Sequence, residues 1–429
     1  MRRNALAFVL ACLVGVSGAF AQEPALTQAE RLFLAEDTAA ARQAAEGLTG
    51  ADAEQEIQRL WLLALSHMRE NAPRAALPHL ERLVSLAPET ARFRLELARA
   101  LYLIEDNERA YHHFQFALGG ELSLSEIATV HEYLHAMERR KPWQGHARVA
   151  VVRQSNPWYR SGDDFIDIGG KLLLPVPQVE SASGVEIGLG ATHLPRLATD
   201  LHARVHVMAT GQIFEDRDLN RGHLRGELGL LALGDYGRQI GGGVSLQAAY
   251  GSGGRIMHGV GIYANFQQRF GDRTRLAMRI SVDQLSYRGL PQLDGPRIST
   301  AVELSRIISP QLRLHGGAQL VHHQTEADFH RRSTASLSMG GEYALRGGLI
   351  AGLEAQYTHI RVAEANPLQV QYGPERSNRL GITARLMHRD YTLRGFAPVI
   401  VVGYETQSSN VPRQSFDNLR LSLGATRNF

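Results

Sequence analysis

From residue 146 onward, apolar and polar residues alternate with a period of two, so these segments must be strands whose two faces meet different surroundings. Leu201, Ala203, Val205 and Val207 share one face; His202, Arg204 and His206 share the other. Leu276, Met278, Ile280 and Val282 oppose Ala277, Arg279, Ser281 and Asp283. Ile298, Thr300, Val302 and Leu304 oppose Ser299, Ala301, Glu303 and Ser305, and Leu337 and Met339 oppose Ser336, Ser338 and Gly340. Leu380, Ile382, Ala384 and Leu386 oppose Arg379, Gly381, Thr383 and Arg385. In a soluble sandwich the apolar faces need a second sheet to cover them. In an outer-membrane barrel they face lipid, and the charged faces line a wet lumen. Three features favour the barrel. Inward positions are often Gly, Ser, Arg or Glu, connections alternate between short and long, and Phe429 follows an alternating strand through Leu419, Leu421, Leu423 and Ala425. Such an aromatic end is the usual address for the barrel assembly machinery. Phe429 is therefore the expected assembly signal, and that machinery and outer-membrane lipid are expected partners.

Connection lengths set the topology. Short turns are expected at 195–197, 234–237, 271–273, 309–310, 346–348 and 389–390. Longer loops are expected at about 214–221, 251–255, 287–296, 323–332, 363–376 and 407–416. Periplasmic turns are short and extracellular loops long in this class. Fifteen segments look like strands, but both ends must be periplasmic, which requires an even number. The weakest segment, 164–174, runs into Pro175-Val176-Pro177 and is assigned to the first extracellular loop. Fourteen strands remain.

Ahead of the barrel the composition changes. Arg2 and Arg3, the apolar run Ala5–Val16 and the small residues of Ala19-Phe20-Ala21 read as an export signal cleaved before Gln22. A lipoprotein signal through Cys12 would cut in the middle of the apolar run and is rejected. Cleavage removes Cys12, the only cysteine, which excludes disulfides, Cys-based zinc sites and cysteine nucleophiles downstream. Residues 26–140 are rich in Ala, Leu, Glu and Arg, and Lys141-Pro142-Trp143-Gln144-Gly145 marks the junction. The expected organisation is a signal peptide at 1–21, a periplasmic tetratricopeptide-like helical domain at 22–141 and the barrel at 146–429. The fold class is α+β multidomain: an α-solenoid followed by a 14-stranded antiparallel transmembrane β-barrel.

The solenoid rests on a repeat of 34 residues. Ala64 recurs as Ala98, Ala76 as Ala110, Leu80 as Phe114 and Leu83 as Ala117, with Pro88 where a helix pair would end. Two units are expected, at about 57–90 and 91–122. An irregular helical stretch at 26–50 precedes them. A closing helix at 123–140 carries Ile127, Val130, Tyr133, Leu134 and Met137 on one face. Such stacks bind peptide segments along a concave face, which by repeat position carries Gln58, Trp61, Met68, Arg92, Arg99 and Tyr102. Trp61 and Met68 fit equally well as core residues of the stack.

Signs of catalysis are weak. The net charge of +3 gives no nucleic-acid signature. His112-His113 on a helix diverge by about 100°, and His322-His323 on a strand point to opposite faces, so neither pair suits one metal. His258 stands alone. Gly241-Gly242-Gly243 has no helix after it and is no phosphate loop. Glu186, Glu227, Glu303, Glu342 and Glu354 alternate inward, as do Arg204, Arg279, Arg313 and Arg385. They read as ion pairs bracing a lumen; a carboxylate–His protease or lipase site finds no supporting spacing. No catalytic residue, cofactor site or metal site is assigned.

Gly395-Phe396-Ala397-Pro398, Tyr404-Glu405 through Ser409-Asn410, Arg420 through Phe429, the loop Arg153-Gln154-Ser155-Asn156, and Ser183-Gly184 together resemble the surface lipoprotein assembly modulator (Slam) family. The order of signal, short helical domain, Trp143 junction and barrel fits as well, and the similarity spans 75–429. One departure is Gln154, where the family usually has an acid; if that acid handles substrate, this chain handles a different client. The resemblance implies a non-enzymatic factor that binds a client lipoprotein or small secreted protein in the periplasm and promotes its delivery to the cell surface. Passive channels, polysaccharide exporters and structural surface receptors are the competing readings. Exporters of that kind carry longer repeat arrays than this.

Overall fold

The computed structural model describes residues 23–48, 52–140, 143–168, 172–175, 177–388, 393 and 395–428. The expected export signal with Cys12, the turn at 389–390 and Phe429 lie outside the described residues. The chain forms two compact units that divide between Leu83 and Val84.

The first unit holds α1 (Glu23–Leu34), α2 (Thr38–Glu46), α3 (Ala53–Arg69) and most of α4 (Pro73–Leu86). Its core packs Ala29, Phe33, Ala41, Ala45, Leu62 and Leu63. The Asp37 and Asp52 side chains cap α2 and α3 by accepting from Ala40 N and Gln55 N. Arg69 donates to the Phe33 carbonyl at 3.0 Å while its guanidinium lies 3.9 Å from the Phe33 ring centroid. The second unit begins with the end of α4 and α5 (Ala91–Leu103), α6 (Asn107–Ala117) and α7 (Leu124–Arg140). Ser123 and Glu126 cap α7 reciprocally: Ser123 N donates to the carboxylate at 2.9 Å, and Glu126 N donates to Ser123 Oγ at 3.3 Å.

All eight expected repeat positions are 0% exposed, from Ala64, Ala76, Leu80 and Leu83 to Ala98, Ala110, Phe114 and Ala117. This is compatible with the tetratricopeptide pattern. The stretch at 26–50, expected to be irregular, is instead a regular helix pair. Ala29, Ala41 and Ala45 stand 35 residues before Ala64, Ala76 and Leu80 and are also 0% exposed. The first helix of each pair ends on a left-handed residue: Glu36 (φ 66°), Asn71 (φ 56°) and Glu105 (φ 68°). The pair escapes the pattern because Ala45 stands where the later units have a large side chain.

His79 on α4 stacks on His67 of α3 at 5.7 Å between ring centroids. Burial, then the neighbouring His67 and Arg59, push its pKa below the ordinary 6.5. The unfolded chain thus takes up a proton that the folded unit resists. The stability contributed by neutral His79 is complete above the ordinary His value of 6.5 and is lost as the pH falls toward the depressed folded value. Amide exchange in α3 and α4, corrected for intrinsic rates, should therefore be faster at about pH 5.5 than at about pH 7.5, and His79→Gln should shrink that difference.

Fourteen strands close into an antiparallel barrel: β1 (Trp143–Gln154), β4 (Ala182–His193), β5 (Leu201–Phe214), β6 (Arg221–Leu233), β7 (Gln239–Gly251), β8 (Gly254–Phe270), β9 (Thr274–Tyr287), β10 (Gly295–Ile307), β11 (Leu312–His323), β12 (Arg332–Ala344), β13 (Leu349–Val362), β14 (Arg376–His388), β15 (Ala397–Ser409) and β16 (Phe416–Asn428). β1 closes the ring by pairing with β4 and with β16, where Val149 faces Ala425. Closure leaves no free edge, so every strand finds its partner inside the protein. The two remaining strands, β2 (Phe165–Ile168) and β3 (Leu172–Pro175), form a separate hairpin in the first connection, as expected for the weak segment. Two connections differ from expectation: the short turn placed at 195–197 is the longer stretch 194–200 between His193 and Leu201. The loop placed at 251–255 is a two-residue turn between Gly251 and Gly254, where φ of +100° at Gly254 lets the chain reverse at once.

The register follows the alternation. Val205 and Ile280 are 38% and 47% exposed on the outer surface, whereas Ser281 and Asp283 are 6% and 1% exposed inside. Trp143 stacks on His193 at 4.1 Å near one rim, and Phe270 and Tyr343 are exposed at the same ends of their strands, as an interfacial belt requires. Among the described residues no helix is long and apolar enough to cross a membrane. The barrel lies in the outer membrane. Ile280→Arg should cost about 2–4 kcal/mol at mid-bilayer, and Ser281→Arg, which has a lumen cavity and Asp283 beside it, should cost less. Urea unfolding of the refolded variants in lipid measures both. A reversed order would put the register off by one residue.

Candidate functional site

The lumen is braced by ion pairs. Glu227 on β6 sits at the centre of one cluster. It accepts from Arg204 of β5 at 2.6 Å and from Arg225 at 2.9 Å, and it contacts Arg279 of β9. Arg204 also donates to Tyr263 Oη at 3.1 Å. Beside it, Asp283 accepts from Ser245 Oγ at 3.0 Å and pairs with Arg225 and Arg297 at 3.5 and 3.7 Å. A second cluster joins Glu342 to Arg313 and Arg385, and a third joins Glu186 to Arg420 and Arg148. Glu354 lies 3.8 Å from His315. Of the expected inward groups, Glu186, Glu227 and Glu342 pair with arginines, the four arginines Arg204, Arg279, Arg313 and Arg385 all pair, and Glu354 lies beside His315, whereas Glu303 makes no ion pair among the described residues. Asp283 was already placed on the polar face of its strand, but Arg225, Arg297 and Tyr263 were not singled out from sequence. Arg225 sits on the same polar face as Glu227, so the alternation could have found it.

At the extracellular end the first connection folds across the strand ends. Asn156 is almost fully buried and uses nearly all its hydrogen-bonding capacity. Its backbone N donates to Asn418 Oδ1 at 3.0 Å, its Nδ2 donates to the carbonyls of Asp417 and Arg160, and its Oδ1 accepts from Arg160 N. Gln154 accepts from Asn418 Nδ2 at 3.1 Å, and Ser155 exchanges two bonds with Leu419. On the far side Arg221 of β6 donates to the Pro157 carbonyl at 2.7 Å, and Trp158 packs on Val152, Phe214 and Leu219. The Arg153-Gln154-Ser155-Asn156 motif therefore ties the β1–β16 closure to this loop. Gln154, the departure from the family pattern, serves that clasp.

At the other end, the end of α4 and α5–α7 dock on three alternate turns of the barrel. His131 of α7 meets Asp272 at 2.6 Å, and Arg273 donates to the Gly120 carbonyl at 3.0 Å, both at the β8–β9 turn. Gly119 lies so close to Ser309 and Ile307, at the β10–β11 turn, that any side chain there has no room. Gly347 N, at the β12–β13 turn, donates to the Ser85 carbonyl at 3.2 Å. Arg269 of β8 donates to Tyr111 Oη at 3.2 Å. Between α6–α7 and the wall from β1 to β13 lies a cavity of about 1300 Å³ that continues into the mid-lumen. A second cavity of about 430 Å³ shares Arg204, Arg279, Ala301 and Gln319 with it and extends to Met208 and Val321.

The residues expected on the concave face are all half-buried on two helices. Gln58, Trp61 and Met68 lie on α3; Arg92, Arg99 and Tyr102 lie on α5. Arg99 pairs with Glu96 at 3.0 Å, Arg92 approaches Glu126 of α7 at 4.0 Å, and Tyr102 meets Tyr133 edge-on at 4.8 Å between centroids. His112 and His113 are buried with ring planes at 82°. His322 bonds Ser333, while His323 lies near Tyr287. Gly241-Gly242-Gly243 lies within β7. Among the described residues no group of three or more His, Cys, Asp or Glu side chains is placed to hold a metal.

Comparison with known proteins places this architecture. The family model for surface lipoprotein assembly modifiers matches residues 143–429. Surface lipoprotein assembly modifier 1 of Haemophilus influenzae is 20% identical over 355 residues, covering 78% of this chain and 70% of that protein. Among solved structures, the outer membrane channel DcaP of Acinetobacter baumannii aligns at 11% identity and a TM-score of 0.39, covering 67% of this chain and 96% of that one. The anion-selective porin from Comamonas acidovorans aligns at 12% identity and a TM-score of 0.36, covering 67% and 98%.

Proposed function

This chain belongs to the surface lipoprotein assembly modifier family, and from that premise we propose that it binds a client lipoprotein, or a small secreted protein, in the periplasm and promotes its delivery to the cell surface. The family match over the whole barrel carries the reading. In this division of labour a signal at 1–21 directs export, the helices of 22–141 hold the client and the barrel of 146–429 passes it outward. Gln58, Trp61 and Met68 on α3 and Arg92, Arg99 and Tyr102 on α5 are the proposed client contacts. Most of the lumen charges, those around Glu186, Glu227, Asp283 and Glu342, are committed to one another, which supports a structural role for them and a transport role for the protein rather than catalysis.

Affinity capture on the full chain in detergent, followed by identification of bound periplasmic proteins, tests the reading. Recovery of a lipoprotein or small secreted protein is expected. Recovery of none, together with steady ion conductance in a planar bilayer, would favour a passive channel.

Phe429 is proposed as the signal for barrel assembly. Deleting it should sharply lower the amount of heat-modifiable, folded barrel in the outer membrane. Unchanged barrel levels after that deletion would remove the assembly-signal role.

A further inference from the structure

The geometry points to a peptide-binding chamber: we propose that the cavity between α6–α7 and the barrel wall receives the client as an extended segment that presents acidic side chains on one face and apolar side chains on the other. The inference rests on the transport reading above and names where the client engages.

Three observations carry it. The first is size. About 1300 Å³ exceeds the roughly 300–1,000 Å³ of small-molecule pockets. A folded 100-residue domain, with a radius of gyration of about 13 Å, fills on the order of ten times that volume. A short extended stretch of chain fits and a folded client does not. The second is chemistry that differs between the two walls. Tyr111, Leu134 and Met137 line the helical side, while the barrel side carries six arginines, Arg204, Arg275 and Arg279 among them, against the four carboxylates Asp272, Glu303, Glu342 and Glu354. Arg204 and Arg279 already share Glu227, but Arg275 makes no ion pair among the described residues. His202, 6% exposed in the same lining, has an Nδ1 with no hydrogen-bond partner. An extended chain sends successive side chains to opposite sides, so alternating acidic and apolar residues satisfy both walls at once. The third is continuity. The chamber joins the deeper cavity at Arg204, Arg279, Ala301 and Gln319, so a segment held at the mouth already points along the lumen.

The test uses the purified full chain in lipid nanodiscs and two fluorescent dodecapeptides, one alternating Glu and Val, the other alternating Lys and Val. Anisotropy should show binding of the Glu peptide and at least tenfold weaker binding of the Lys peptide. Arg275→Gln should weaken the Glu peptide severalfold without altering heat-modifiability. In a second variant, Gln115→Cys in the chamber lining is labelled with a bulky maleimide; the labelled protein should lose the Glu peptide. Equal binding of both peptides, no binding of either, or full binding after labelling at Gln115 would overturn the proposal. Surface shaving of cells separates this failure from failure of the transport reading. If outer-membrane lipoproteins still reach the surface only when the chain is present, yet the chamber binds no acidic peptide, the chamber proposal alone falls.

Discussion

Glu227→Gln should destabilise the folded barrel by about 3 kcal/mol, the low end of what breaking a buried ion pair costs. Glu227 is buried, and Arg204, Arg225 and Arg279 all converge on it, so removing its charge leaves three guanidinium groups facing one another in a confined space. The cost falls at the low end because Arg279 keeps 34% of its side chain in solvent, where lumen water screens it. Glutamine fills the same space and can still accept hydrogen bonds, so the loss reports charge rather than packing. Urea midpoints of the refolded barrel measure it. Adding Arg279→Gln to the variant should recover part of the loss, because it removes one of the opposed charges. A Glu227→Gln barrel as stable as the parent would mean that lumen water alone solvates the arginines and that the cluster braces nothing.

Much of this barrel was legible because lipid and water impose opposite demands on successive residues. The alternation at Leu276–Asp283 fixed both the strand and its outer face, whereas the proline-bounded segment at 164–174 was placed outside the ring because periplasmic ends require an even number of strands. What escaped depended on backbone geometry or closure. The turn after Gly251 looked like a loop because its glycines and serine have loop composition, yet Gly254 alone supplies the reversal. The pairing of Arg279 with Glu227 joins β9 to β6, and only the curvature of the closed sheet brings strands that far apart in sequence within reach. Docking of the end of α4 and of α5–α7 on the turns was hidden for a related reason. Its acceptors include the main-chain carbonyls of Ser85 and Gly120, which no residue type announces. The helix pair at 23–46 shows the limit of a repeat read from side-chain size, since alanines fill its small and large positions alike.

The second large effect concerns the helices. Deleting 22–140 should leave a folded, heat-modifiable barrel while surface display of the client falls to near the level of cells that lack the protein. The barrel satisfies its own backbone hydrogen bonds by closure, so it does not need the helices to assemble. Several of the contacts it would lose, at Asp272, Arg273 and Gly347, lie at turns where water replaces the missing partners. Exchanging the helical segment for that of a relative should shift which client is displayed if the helices around Trp61, Arg99 and Tyr102 read it. A barrel-only protein that displayed the client normally would move recognition to the lumen or the extracellular loops.

The central claim is that this barrel delivers a lipoprotein to the cell surface, and protease shaving of intact cells tests it most directly. Cells with and without the full-length protein are shaved, and the released outer-membrane lipoproteins are compared at equal total lipoprotein content. The expected result is at least one lipoprotein that the protease reaches only when the protein is present, and that stays in the membrane but protected when it is absent. The same set of lipoproteins released from both kinds of cell would contradict the claim.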